Sequence, residues 1–212
     1  MSSKSSSQKE LRCFIGLQIP ADVKKAMATE SKAMQSDAKY ADFKWVKKSN
    51  YHLTLHFLGE IPLHQVVELK EAFEKNPLIA QPLQLEITGI TGFPDVKSPK
   101  FIVAELANND ALNNLQQEIK NELDRQGINQ ESESFRPHIS LARLKRGHQA
   151  PTLGKLAEMT LTFSIDEYAV FKSTLTPEGS VYEVIGSFGK PKPTLSDYFG
   201  EEESEDDTDK KD

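Results

Sequence analysis

Two short segments carry the residues best suited to chemistry. His52-Leu53-Thr54-Leu55 and His138-Ile139-Ser140-Leu141 each set an imidazole two residues from a hydroxyl, and they lie 86 residues apart. The residues between are large and apolar, as in a strand. Period two then places His52 with Thr54, and His138 with Ser140, on one face, while the leucines and Ile139 pack behind. Cleaving a phosphodiester needs a base to deprotonate the nucleophile and an acid to protonate the leaving oxygen. Two histidines on opposite sides of a phosphate supply both near neutral pH. The Thr54 and Ser140 hydroxyls donate to the non-bridging oxygens, where charge gathers in the transition state. This chemistry needs no metal and no cofactor. No Asp, Glu or His cluster has metal-ligand spacing, and the lone Cys13 allows neither an internal disulfide nor a cysteine zinc site.

One such segment is a weak signal, since any half-exposed strand can carry it by chance. Two of them at matching places in a repeated order are specific. The first half reads as a strand at Cys13–Ile19, a helix from Ala21 to about Ser36 with Val23, Ala26, Met27 and Met34 as its stripe, and a His-bearing strand at Tyr51–Leu58. A helix over about His64–Lys75 and a strand at Leu83–Thr88 complete it. The second half reads as a strand at Phe101–Leu106 and a helix N-capped by Asp110 and ending before Gly127. A His-bearing strand at Phe135–Leu144, a short helix near Leu153–Met159, and strands at Leu161–Phe171 and Val181–Phe188 follow. Ile15 precedes His52 by 37 residues and Val103 precedes His138 by 35, which suggests an internal duplication. The expected fold is α+β, with two pseudo-symmetric lobes of antiparallel sheet and flanking helices around a central cleft. The lobes are placed at about 11–96 and 97–188, after an N-terminal segment of residues 1–10 expected to be disordered.

The chain has 212 residues and a formal net charge of −6, which read naively argues against a nucleic-acid partner. That charge is confined to residues 201–212, EEESEDDTDKKD, with eight acidic and two basic side chains; the rest of the chain sums to zero. A neutral body can still hold a local cationic cleft for one phosphate and a base or two. No apolar run approaches the ~18 residues of a membrane span, and the Ser/Lys-rich start has no apolar segment of a secretory signal behind it. A monomeric cytoplasmic protein without membrane contact is expected.

The two segments resemble the twin His-x-Thr-x signature of the 2H phosphoesterase superfamily. Their context is similar to its RNA 2′,3′-cyclic phosphodiesterase branch, the LigT-like proteins also called 2′-5′ RNA ligases. Trp45-Val46, Phe57-Leu58-Gly59-Glu60, Gly92-Phe93-Pro94, Phe135-Arg136-Pro137 and Ala142-Arg143 carry the likeness, as do Phe171-Lys172-Ser173-Thr174-Leu175, Pro177, Gly179 and Tyr182. It covers about residues 11–188. The resemblance implies opening of a terminal 2′,3′-cyclic phosphate on RNA to a 2′-phosphate, with 2′-5′ ligation as a related transfer. It also implies His52 as proton donor, His138 as proton acceptor, Thr54 and Ser140 on the phosphate, and Arg143 in support of it. Ser140 stands where Thr is commoner and keeps the hydroxyl. Arg143 has the wrong parity for the His138 face, so a bulge or the strand's end must redirect it.

An RNA end calls for stacking rings and a few cations. Trp45, Tyr51, His56 and Arg136 are the candidates, with Lys44, Lys47 and Lys48 nearby. His56 shares the parity of His52; Phe57 shares that of Leu53 and reads as core. Two other functions fit the residues: a phosphodiesterase for cyclic nucleotides or 2′-5′ oligoadenylate, and a non-catalytic RNA-end-binding module. Residues 189–212 read as a disordered acidic tail. Within it, Leu195, Tyr198 and Phe199 at i, i+3, i+4 spacing resemble a sliding-clamp-binding box, with Lys192 where that box has Gln.

Overall fold

The computed structural model describes residues 9–128, 134–177 and 179–189. The chain runs through β1 (Glu10–Gln18), α1 (Ala21–Gln35), β2 (Phe43–Trp45), β3 (His52–Pro62) and α2 (Leu63–Lys75). It continues through β4 (Leu83–Phe93), β5 (Phe101–Leu106), α3 (Asp110–Arg125), β6 (His138–Leu144), β7 (Leu161–Ile165), β8 (Glu167–Thr176) and β9 (Gly179–Gly189). The strands form one curled antiparallel sheet in the order β7-β4-β5-β6-β3-β1-β8-β9, with β2 added beside β6.

The order is symmetric about its centre, where the His-bearing strands β3 and β6 meet. Third strands are exchanged: β4, from the first half of the sequence, lies beside β5, and β8, from the second, lies beside β1. The spatial halves of the sheet therefore interlock and do not follow a cut in the chain near residue 96. The exchange ties each repeat to the other through long-range strand pairing.

α1, α2 and α3 cover one face. Val23 and Met27 of α1, Val66, Leu69 and Phe73 of α2, and Leu112, Leu115, Ile119 and Leu123 of α3 join one core with Leu53, Leu55, Ile139 and Leu141 from the central strands. A helix turns an i, i+3/i+4 apolar stripe toward a sheet, and burying a side chain of this size stabilises by about 1.5–3 kcal/mol. With the helix-facing side of β3 and β6 filled by these four residues, His52, Thr54, His138 and Ser140 are left on the opposite, open face. A second, small cluster of Phe14, Ala169 and Phe171, with Tyr182 against it, lies apart from that core.

Several elements differ from expectation. Glu10 belongs to β1, and the Lys9 carbonyl accepts from the Leu63 N–H at 2.9 Å, so order begins before residue 11. Asn109, not Asp110, caps α3, its side chain accepting from the Leu112 N–H at 2.9 Å. The helix ends as expected at Gly127, whose φ of 68° suits a glycine stop. No helix forms near Leu153–Met159. Its amides instead reach outward, Leu153 to the Val96 carbonyl in the loop after β4 and Leu156 to the Ile90 carbonyl of β4, which satisfies both. The apolar run from Leu161 to Phe171 breaks at Asp166, because β7 pairs with β4 while β8 pairs with β1 at the other side of the sheet. No helix is long and apolar enough to cross a membrane among the described residues. The box containing Leu195, Tyr198 and Phe199 lies outside them.

Candidate active site

β3 and β6 share one registered pair, Leu53↔Ile139. Directly opposed residues of antiparallel strands point to the same side. One step either way, His52 comes level with Ser140 and Thr54 with His138. The four polar side chains thus mark the corners of a small quadrilateral, with the imidazoles on one diagonal and the hydroxyls on the other.

The two imidazoles are held alike. His52 Nδ1 lies 2.7 Å from the Asn50 carbonyl oxygen, and His138 Nδ1 lies 2.7 Å from that of Arg136. A carbonyl only accepts, so each Nδ1 carries a proton and donates it, and each neutral ring keeps a free lone pair on Nε2. The His52 Nε2 is 3.1 Å from Thr54 Oγ1. A tethered Nδ1–H fixes the tautomer and the ring plane and leaves Nε2 to exchange protons in the cleft.

Aromatic walls flank both rings. His52 meets Phe14 at 4.7 Å between ring centres and the edge of Tyr182 at 4.9 Å, with Phe171 at 5.9 Å. Phe14 and Phe171 are themselves stacked at 4.7 Å. His138 stacks on Phe93 at 4.3 Å, and the Arg136 guanidinium lies over the same ring at 4.5 Å. Burial between these walls pushes the His52 imidazole down to about 4, and the positive charges of Lys24 and His138 add to the effect. His138 is also lowered, chiefly by burial, with the Arg136 charge acting the same way. Without an anion beside them, both rings are therefore mostly neutral at pH 7. Beside His138 opens a cavity of ≈ 460 Å³ whose lining includes Phe93, Glu105, Asn113, Gln116, Gln117 and Arg136.

The family model for LigT-like phosphoesterases matches residues 17–103 and 105–182, most of the chain. The chain belongs to the LigT-like phosphoesterase family. An RNA 2′,3′-cyclic phosphodiesterase of Thermotoga maritima is 30% identical over 179 residues, covering 82% of this chain and 93% of that protein. One from Aquifex aeolicus is 36% identical over 158 residues, covering 68% and 80%. Among solved structures, a Thermus thermophilus protein aligns with a TM-score of 0.70 at 25% identity, over 84% of this chain and 97% of that one. Escherichia coli LigT complexed with 3′-AMP aligns at 0.68 and 18% identity, over 87% and 100%, a likeness of fold.

In this LigT-like sheet, two bulges decide which further side chains join the cleft. On β6, Ser140 pairs with Val103 and Ala142 with Ile102, so Leu141 is the extra residue. On β3, Thr54 pairs with Gly16 and His56 with Ile15, so Leu55 is extra. Each bulge flips the parity beyond it. From His52 and from His138 the burial runs the same way: histidine half-buried, then buried, half-buried, buried, buried, exposed. The exposed sixth residues are Phe57 and Arg143. Arg143 is thereby turned to the His138 side, opposite Lys44 of β2 and 5.6 Å over the Phe101 ring.

The same bulge corrects two expectations on β3. His56 does not share the His52 face: it is buried, and the charges nearest it are Asp124 and Lys120 of α3, on the helix side. Phe57 is not core; it is 68% exposed. Two stacking candidates are drawn toward the core. Tyr51 is buried, with its hydroxyl donating to Ser31 Oγ at 3.1 Å. Trp45 packs on the core and meets the edge of Tyr40 at 6.2 Å. Arg136 keeps its place in the cleft: it is exposed, donates to the Pro94 carbonyl at 3.0 Å, and lies on Phe93. Phe14 was missed altogether. Its signal is the uninterrupted apolar run Cys13–Leu17, which marks a strand covered on both faces.

Proposed function

We propose that this chain hydrolyses a terminal 2′,3′-cyclic phosphate on RNA to a 2′-phosphate, with residues 11–188 as the catalytic unit. The diagonal pair of imidazoles, each with Nδ1–H tied to the carbonyl two residues back, carries the reading. The names of the relatives point to the same reaction. With the phosphate between the rings, His138 Nε2 takes a proton from water as its oxygen attacks phosphorus. The P–O3′ bond breaks on the opposite side, and O3′ takes a proton from His52 Nε2, so the two histidines exchange charge states over the turnover. Thr54 and Ser140 donate to the non-bridging oxygens, and Arg143 with Lys44 adds positive charge at the rim.

Free His52 is a poor proton holder, so the acid role depends on the bound phosphate. The anion offsets the burial that keeps the ring neutral. The proposal carries the further expectations of a monomer acting in the cytoplasm and of a sliding-clamp contact through Leu195, Tyr198 and Phe199.

An RNA ending in a 2′,3′-cyclic phosphate, incubated with the protein in EDTA, tests this. The expected product is a 2′-phosphate, lost in both His52→Ala and His138→Ala. A 3′-phosphate product, or turnover in both variants, would overturn the assignment. Dependence on added metal would refute the metal-free route.

A further inference from the structure

Phe57 is an aromatic side chain with two-thirds of its surface in water, although it sits in a central strand. It is the counterpart of Arg143: each lies five residues past its histidine, and each is turned outward by a bulge two residues before it, at Leu55 and at Leu141. One repeat thus presents a guanidinium to the cleft and the other a bare ring.

The ring continues the His52 wall. Phe57 lies 6.2 Å from Phe14, and Phe14 lies 4.7 Å from His52. Strand register extends the same face across β8 and β9, where Phe171 opposes Val184, Ser173 opposes Tyr182 and Leu175 opposes Ser180. Leu175 is 67% exposed and Val184 39%. An open apolar strip therefore leads from the site along β3, β1, β8 and β9.

We infer that Phe57 is a stacking contact for the nucleotide immediately 5′ to the terminal one that bears the cyclic phosphate, on a platform that favours RNA chains over mononucleotides. This rests on the proposed reaction. There, O3′ of the terminal ribose departs beside His52, so that ribose and the chain 5′ to it lie on the His52 side of the phosphate. Phe57 is on that side, one ring beyond Phe14. Exposed rings beside a phosphate site suit single-stranded nucleic acid, because every base has a face to stack. Charge agrees: Lys44 and Arg143 stand opposite each other on the open face, and among the described residues neither has a carboxylate partner. Two cations facing each other across strands repel unless an anion lies between them.

The test compares kcat/KM on a 2′,3′-cyclic mononucleotide and on a tetranucleotide with the same cyclic-phosphate terminus. Phe57→Ala is expected to lower the tetranucleotide value by about 5- to 150-fold, the worth of one base–aromatic stack, and to leave the mononucleotide value within about twofold. Phe57→Trp should retain tetranucleotide turnover; Phe57→Leu should behave like Phe57→Ala. An equal loss on both substrates, no loss on either, or full rescue by Leu would overturn the inference. So would a change of oligomeric state in Phe57→Ala by light scattering, which would assign the face to a second copy. A wild-type protein that turns over neither substrate would instead sink the proposed reaction.

Discussion

An anion at the cleft should switch the charge of His52, and the size of the effect follows from its surroundings. A value of about 4 leaves about one His52 in a thousand protonated at pH 7, against about one in four for an ordinary imidazole near 6.5. The difference corresponds to about 3 kcal/mol held against the charged ring, with burial by Phe14, Phe171 and Tyr182 as its main cause. A single negative charge about 4 Å away, at an effective dielectric constant near 20, returns about 4 kcal/mol. The two nearly cancel, so a bound phosphodiester restores His52 to near-neutral titration. The assay is an NMR titration of the histidine rings from pH 3.5 to 8, alone and with saturating sulfate, a tetrahedral anion that does not itself titrate there. Free His52 should titrate near 4 and His138 below 6.5; sulfate should raise His52 by about two pH units. A free His52 at 6.5 or above, or one that ignores sulfate, would refute the reasoning. The sign for stability is also fixed. The unfolded chain takes up this proton near 6.5 and the folded one near 4, so stability is full above 6.5 and falls as pH drops toward 4. His52→Phe should flatten that acid limb.

Two further outcomes check the framework that holds the site. A Cβ at Gly16 would lie 2.6 Å from the Leu53 carbonyl oxygen, which is backbone and cannot swing away. Gly16→Ala should therefore cost about 1–3 kcal/mol and lower Tm by about 2–12 °C, with reduced turnover because Leu53 joins β3 to β6; a Tm within 1 °C of wild type would contradict the close packing. Ser140→Ala should reduce kcat by about 10²–10³-fold, the worth of one donor to a developing oxyanion, while Ser140→Thr should stay within a few-fold; full activity in the alanine variant would remove Ser140 from the phosphate site.

What the sequence determined by itself is what depends on near neighbours. Period two along a strand requires no partner, so His52 with Thr54 and His138 with Ser140 could be assigned to shared faces from their spacing alone. The Leu112–Leu123 stripe of α3, the start of α1 after Pro20 and the strand, helix and His-bearing strand that open each half were legible for the same reason. Tertiary structure decided what depends on the partner strand. The bulges at Leu55 and Leu141 exist only because β3 and β6 must pair with β1 and β5 in particular registers, and they alone send His56 into the core and Phe57 and Arg143 into the cleft. Whether Trp45 and Tyr51 reach the cleft or pack inside was likewise invisible, since a ring suits either place until its neighbours are known. The same holds for the apolar run at Leu161–Phe171, which only the competing edges of β4 and β1 divide in two. Local spacing gives each side chain its phase; the long-range register of the sheet can reset it.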